Sequence, residues 1–432
     1  MRRYDWTDMD ADARTRALAR PEGVSDPALM GRVAEILSEV KARGDAALTE
    51  YTRRFDTDAA VTLRVPDAEL EAAWNALDAR DQSVIEHARR NVKAFHAAQM
   101  PADVEVETEP GVVCRREVRA IESAGLYVPG GTAPLVSTLI MLATPAKVAG
   151  VRRRVVVTPP GKDGRIDPVI LACAWRCKVT DVFAVGGAQA IAALAYGTET
   201  IPRCDKIFGP GNAYVAAAKA LVSSAPGGPA IDMPAGPSEA MVICDEASDP
   251  AFIASDLLSQ AEHDRVAQVL CVSCCPDVAD AVEVELDRQL ARLSRRDIAA
   301  EALSHARLIV TDERADIVDI VNRYAPEHLI VQMERPELLV PAIRHAGSIF
   351  LGPWTPESVG DYASGTNHTL PTNGAARAYS GITLDSFLKY VSVQQLSKAG
   401  LKRLGPVVER LAEMEGLDAH RNAVTLRLEA LS

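Results

Sequence analysis

Asp181-Val-Phe-Ala-Val185 runs directly into Gly186-Gly187-Ala188-Gln189 and then into Ala190 to Tyr196. A strand, a glycine turn and a helix follow one another without a break. The same order recurs on both sides. Arg154 to Pro159 is a β-branched strand ending in Pro159-Pro160-Gly161, with a helix over Asp167 to Cys177. Lys206 to Phe208 breaks into Gly209-Pro210-Gly211-Asn212 and a helix through Leu221. Strands alternating with helices predict parallel βαβ units, with ligands beyond the strands' carboxyl ends. This half reads as a small Rossmann-like domain, although Gly-x-Gly-x-x-Gly is absent from the chain. The glycine turns admit phosphate or ribose at a helix start, or are simply tight βα turns.

A second alternating stretch begins near Ala240. It comprises strand Ala240 to Cys244, a helix from Asp249-Pro250, strand Val266 to Val272, a charged helix over Val278 to Arg295 and strand Arg307 to Thr311. Helix Ala315 to Arg323 and strands Leu329 to Gln332 and Ser348 to Leu351 complete it. Ahead of both stretches, an N-terminal arm leads to a helix over Asp26 to Phe55, a short strand at Val61 to Val65 and a long helix from Asp67 to about Gln99. Beyond Gly381 the chain reads as a small, largely helical tail.

With 432 residues, 25% charged and 48% hydrophobic, the composition is that of a globular protein of two or three domains. A net charge of -12 argues against a nucleic-acid backbone as partner. Met1 to Asp10 is too polar for a signal peptide, and the most apolar run, Leu135 to Val148, is too short to span a bilayer. A cytoplasmic protein with no membrane partner is expected. Cys271-x-x-Cys274-Cys275 continues an apolar strand, where residues three apart face opposite ways, so a buried strand is favoured over a metal or redox site. Cys173 and Cys177 read as core.

Four segments carry chemistry. Gln260 and His263 lie three apart near a helix end and project from one face, where an amide oxygen and an imidazole can hold a divalent metal. Glu327-His328 sets a carboxylate beside an imidazole, suited to two separate proton transfers, or else is a surface glutamate and a half-satisfied histidine. The polar loop from Gly360 to Thr372 contains Asp361, a hard anionic ligand, and His368. In the tail, Glu415 and His420 offer another carboxylate and imidazole, or a partly buried helix position. Together Gln260, His263, Asp361 and His420 make a mixed nitrogen and oxygen shell with one anion. Such a shell suits an open Lewis-acid site more than a closed structural one. Zinc is the first choice, with manganese or cobalt as substitutes.

Over essentially its whole length the chain resembles the histidinol dehydrogenase family. The resemblance rests on Gly125-Leu-Tyr-Val-Pro-Gly-Gly, Gly186-Gly-Ala-Gln, Phe208-Gly-Pro-Gly-Asn and Asp232-Met-Pro-Ala-Gly-Pro-Ser-Glu239. It continues through Gln260-Ala-Glu-His263, Ala325-Pro-Glu-His-Leu329, the block from Gly352-Pro-Trp-Thr-Pro-Glu-Ser to Pro371, and Glu415-Gly-Leu-Asp-Ala-His420.

The resemblance implies oxidation of L-histidinol through L-histidinal to L-histidine with two NAD, the last two steps of histidine biosynthesis. It implies one zinc ion per subunit on Gln260, His263, Asp361 and His420. Glu327 and His328 would be the proton acceptors, and Tyr127, Gln189 and Asn212 the NAD contacts. Ser238, His368 and Glu415 would line the substrate pocket together with Gln260, His263, His328, Asp361 and His420. It implies an α/β fold of two incomplete Rossmann-like domains with parallel-rich sheets, an N-terminal arm and a small, mostly helical C-terminal extension. The arm would be residues 1–20. Residues 21–127 and 239–380 would form the domain carrying most metal and catalytic groups, and 128–238 the domain with the NAD contacts. Residues 381–432 would reach the partner subunit of a homodimer, so that the active site is shared. A same-scaffold dehydrogenase for another primary alcohol, such as a sulfonated diol, is the nearest alternative. A zinc hydrolase using Glu327, or a silent scaffold, lies further off.

Overall fold

The computed structural model describes residues 1–20, 27–130, 134–234 and 236–432. Gly131 in the glycine run, Ala235 in the block ending at Glu239, and Asp26 at the expected start of the first helix lie outside the described residues.

Residues 239–351, with a strand from the N-terminus, build a wholly parallel sheet. Its order is Arg2–Asp5, Arg307–Val310, Gln268–Ser273, Glu239–Cys244, His328–Gln332 and Ser348–Leu351. Three neighbouring strands, Gln268–Ser273, Glu239–Cys244 and His328–Gln332, are buried at every position. Helices cover both faces, which is why these strands read as continuous apolar runs. Side chains alternate between the faces. Ala240, Val242 and Cys244 pack with Val269 and Cys271 against helix Pro250–Ala261. Met241, Ile243, Leu270 and Val272 pack with Trp6 and helix Arg314–Tyr324 on the other side. Cys271 is buried in its strand, and Cys173 and Cys177 are buried as well.

A second parallel sheet has the order Asp181–Ala184, Arg153–Thr158, Ser123–Tyr127, Lys206–Phe208 and Ala230–Ile231. Chain order runs outward from Ser123–Tyr127 in both directions, so the switch point lies between that strand and Lys206–Phe208. Residues 27–127, expected with 239–380 as one domain, divide in space. Helices Pro27–Arg43 and Asp45–Phe55 pack on this second sheet through Leu29, Val33, Ile36, Leu37, Val40 and Leu48. Each such side chain contributes about 1.5–3 kcal/mol on burial. Ser123–Tyr127 is itself the sheet's central strand.

Both parallel sheets belong to one compact unit, residues 1–99 and 122–387. Residues 100–121 and 388–432 form another. In it, Leu388–Leu396, Val112–Ala120 and Val104–Glu109 make an antiparallel sheet, followed by helices Lys398–Met414 and Asp418–Glu429. The chain therefore ends in helices, as the sequence suggests.

Several local expectations need correction. The N-terminal arm is structured, since Arg2–Asp5 adds a strand beside Arg307–Val310 and Ala11–Ala17 is a helix capped by Asp10. The helix expected to run to Phe55 breaks at Gly44, whose φ of +53° leaves the helical region. The long helix after Asp67 breaks before Asp78, which caps Ala79–Ala97. Val61 to Val65 forms only an isolated bridge, Arg64 to Phe183.

Candidate active site

Strand amino ends, not carboxyl ends, gather the acid and base groups in the six-stranded sheet. Glu239 and His328 each open their strand, and the register pairs His328 with Ala240. Glu327 stands just before, after a left-handed turn at Ala325 (φ +54°) that ends helix Arg314–Tyr324. This corrects the rule applied to the sequence, which places ligands at carboxyl ends.

Glu239 holds both neighbours through its backbone. Its N–H donates to Glu327 Oε2 at 2.8 Å, and its carbonyl oxygen lies 3.1 Å from His328 Nδ1. A carbonyl cannot donate, so Nδ1 carries the proton in this contact and Nε2 is the nitrogen left to exchange one. His328 Nε2 lies 3.5 Å from Asp361 Oδ1, and Glu357 Oε1 lies 3.6 Å from Nδ1. Glu327, His328 and Glu357 are all buried.

Burial shapes the acidity here. It pushes the Glu327 carboxyl up to about 7, with His328 opposing, and the Glu357 carboxyl up to about 8. Burial alone would discharge the His328 imidazole, but the charges of Glu357, Glu327 and Asp361 outweigh it and raise its proton affinity. Burial likewise raises the Asp361 carboxyl. The adjacent His328 imidazole more than reverses that and leaves it below the ordinary range.

Gln260 lies in the last turn of Pro250–Ala261, while His263 lies just past its C-cap in a turn, exposed but within electrostatic reach of Asp361 and His328. The Gln260 Oε1 atom is buried with no hydrogen-bond partner, and so is His328 Nε2. An orphaned amide oxygen and an orphaned imidazole nitrogen, with Asp361 beside the latter, fit a divalent cation. Among the described residues, His328, Glu357 and Asp361 also bring ligand atoms within 4.8 Å of one another. His368 is half-buried, its Nδ1 donating to the Asp361 carbonyl at 2.8 Å and its Nε2 lying 3.3 Å from Thr138 Oγ1. Ser238 directly precedes Glu239, and its carbonyl accepts from Gln268 N. Glu415 and His420 belong to the second unit, both exposed, at the end of Lys398–Met414 and in Asp418–Glu429.

Carboxyl ends do frame a cavity in the five-stranded sheet. About 1090 Å³ in volume, it is lined by Tyr127, Thr158, Gly187, Gln189, Asn212 and Arg54 among others. Gly187 opens helix Gly187–Tyr196, and its N–H donates to Tyr127 Oη at 3.1 Å. Asn212 caps helix Ala213–Ser224, its Oδ1 accepting from Tyr214 N and Val215 N. Two helix amino termini at one cavity suit an anionic group. Gly209 is required in this rim. Its φ is +120°, and a Cβ there would stand 2.1 Å from the Tyr127 carbonyl oxygen. Asp232 and Lys219 form a buried ion pair behind it: Asp232 Oδ2 accepts from Gly209 N at 2.8 Å, and Lys219 Nζ donates to Gly209 O at 2.9 Å.

Sequence reasoning passed over Glu239, which ends a quoted block, and Glu357. Their signals were present. Glu357 precedes Asp361 by four residues, so both share a face of helix Glu357–Tyr362.

A poised base beside a buried carboxylate, together with a cavity sized for a nucleotide, are the parts of an oxidoreductase of the dehydrogenase class. Comparison with known proteins narrows the class. The family model for histidinol dehydrogenase matches residues 19–428. Histidinol dehydrogenase of Xanthomonas campestris pv. campestris is 51% identical over 99% of both chains, and that of Vibrio parahaemolyticus 49% identical over 100% of this chain and 99% of its own. The crystal structure of histidinol dehydrogenase from Elizabethkingia anophelis superposes with a TM-score of 0.95 at 43% identity, over 100% of this chain and 98% of that one. The chain belongs to the histidinol dehydrogenase family. Among the described residues, no helix is long and apolar enough to cross a membrane.

Proposed function

We propose that this enzyme carries L-histidinol through L-histidinal to L-histidine at one site, passing two hydrides to NAD, with zinc held by Gln260, His263, Asp361 and His420. Histidinol oxidation in histidine biosynthesis is the activity of the family. The particulars of site and cofactor are our reading. The observation that carries them is the shared hold of the Glu239 backbone on Glu327 and His328.

In the neutral imidazole, which positive charge from a bound metal ion would favour, His328 Nε2 takes the hydroxyl proton as the first hydride leaves the carbinol carbon. Glu327 then removes a proton from the water that adds to the aldehyde, a task suited to a carboxyl raised to about 7. Once its first proton has passed to solvent, His328 accepts another as the hydrate loses its second hydride. Burial of both groups keeps the reactive aldehyde from bulk water. Zinc, when bound, supplies positive charge that orients the alcohol and offsets the surrounding carboxylates. NAD is assigned to the cavity containing Tyr127, Gln189 and Asn212, where two helix amino termini would favour an anionic group.

Residues 381–432 are assigned to the partner of a homodimer, with Glu415 and His420 completing the partner's site. Leu411, Met414 and Leu417 near them are exposed apolar side chains of the kind an interface covers. The deciding measurement is NADH formed per histidinol consumed on zinc-loaded protein. A ratio of about two, lost on chelation and restored by zinc, supports the reading; a ratio of about one, or turnover that survives chelation, overturns it.

A further inference from the structure

Glu239 is the only described residue whose main chain touches both Glu327 and His328 side chains through hydrogen bonds. Its own carboxylate is 1% exposed and makes neither of those two bonds, though its charge acts on Glu327. That carboxylate is clamped. Arg20 Nε donates to Oε1 at 2.5 Å and Arg20 Nη2 to Oε2 at 2.8 Å, a bidentate fork, and Asn373 N adds a third bond to Oε1 at 3.0 Å.

Arg20 is anchored in turn. Its Nη2 donates to the Tyr324 carbonyl at 2.8 Å, and its guanidinium lies 3.8 Å from the Tyr324 ring centroid. Tyr324 ends the helix that leads through Ala325 and Pro326 to Glu327. One guanidinium therefore ties together the two segments, at residues 239 and 324–328, whose relative placement sets the acid and the base.

We propose that Arg20, from the N-terminal segment, is a positioning residue for catalysis: through Glu239 it fixes the main-chain groups that orient Glu327 and His328. The proposal rests on the reading of those two as the reacting groups. Arg20 itself touches neither of them. A planar fork on a planar carboxylate restrains the Glu239 backbone in rotation as well as position, which an ammonium point charge does not.

The test compares Arg20→Ala, Arg20→Lys and Glu239→Gln with the unaltered zinc-loaded enzyme. In Arg20→Ala, kcat for histidinol should fall about 10- to 100-fold while KM for histidinol and for NAD stays within about threefold, because binding groups are intact and alignment is not. Added guanidinium ion, below denaturing concentration, should recover part of that kcat in Arg20→Ala, whereas methylammonium should not. Arg20→Lys should remain impaired. Wild-type kcat in Arg20→Ala, or a loss that guanidinium does not relieve and that tracks a lowered melting temperature, overturns the proposal. Should Arg20→Ala not fold, Glu239→Gln decides: it keeps the shape but loses the charge partner, and wild-type kcat there overturns the proposal as well. Glu327→Gln and His328→Asn separate the two levels. Full activity in both sinks the underlying reading. Loss in both beside a normal Arg20→Ala sinks only the positioning role.

Discussion

Glu357 and Asp361, one helical turn apart, bracket the His328 ring: Oε1 of the first lies 3.6 Å from Nδ1 and Oδ1 of the second 3.5 Å from Nε2. Asp361 thus stands on the Nε2 side and Glu357 on the side anchored by the Glu239 carbonyl. Asp361→Asn should accordingly strip zinc from the dialysed protein. Glu357→Gln should retain zinc while kcat falls about tenfold, since a charge steadying the imidazole is lost. Metal analysis beside steady-state rates checks this, and equal zinc loss in both variants would show Glu357 to be a ligand.

Glu327→Gln separates the half-reactions. The amide keeps the hydrogen bond from Glu239 N but cannot accept a proton from water. Oxidation of supplied histidinal should fall by about 10²-fold or more, and formation of the first NADH from histidinol much less. Single-turnover traces with each substrate read this directly; equal losses would refute the division of labour between Glu327 and His328.

Asp256, whose charge also acts on Glu357, offers a test of linkage at a group that takes no part in the reaction. Burial raises its carboxyl to about 6, against which the bond from Gln332 Nε2 at 2.6 Å works. A folded-state value above the unfolded one means that the folded protein binds more protons between them. Stability is then fully present below about pH 4 and declines as pH rises toward 6. Asp256→Asn keeps an acceptor for Gln332 and removes the buried charge, so at pH 8 it should stabilise the fold by on the order of 2 kcal/mol. Urea denaturation at pH 5 and pH 8 checks both sign and size.

Lys219→Met leaves Asp232 buried without its partner behind the Gly209 turn. Breaking a buried pair from one side costs about 3–5 kcal/mol. The loss should appear in denaturant melts together with a raised KM for NAD, because the pair holds the rim of the cavity. A raised KM for histidinol with normal NAD binding would contradict that placement.

Mixing inactive chains tests the shared site. If His420 serves a partner copy, His420→Asn and Glu327→Gln subunits, unfolded and refolded together, should regain about a quarter of wild-type activity, from mixed dimers holding one intact site. No recovery in a demonstrably mixed dimer would place His420 in its own subunit's site.

Local pattern sufficed for most strands and helices of the two parallel sheets, but not for the strands Arg2–Asp5, Ser123–Tyr127 and Ala230–Ile231. Continuous apolar runs such as Met241 to Cys244 require burial on both faces, and glycine turns after strands require a crossover helix. Local pattern also marked Gln260, Glu327, His328 and Asp361, because their chemistry shows in residue type and close spacing. It placed Gly44 and Asp78 inside helices, since periodicity continues past a single residue whose backbone or capping bond breaks the helix.

Other relations belong to tertiary structure alone. That Glu239, from one strand, reads two side chains at the start of another follows from parallel register, which brings together residues 88 and 89 positions apart. That Arg20 clamps Glu239 across 219 positions follows from chain folding that no spacing encodes. Residue type and local spacing determined which groups could do chemistry; the long-range closure of the chain decided which of them meet, and which are buried deeply enough for their proton affinities to change.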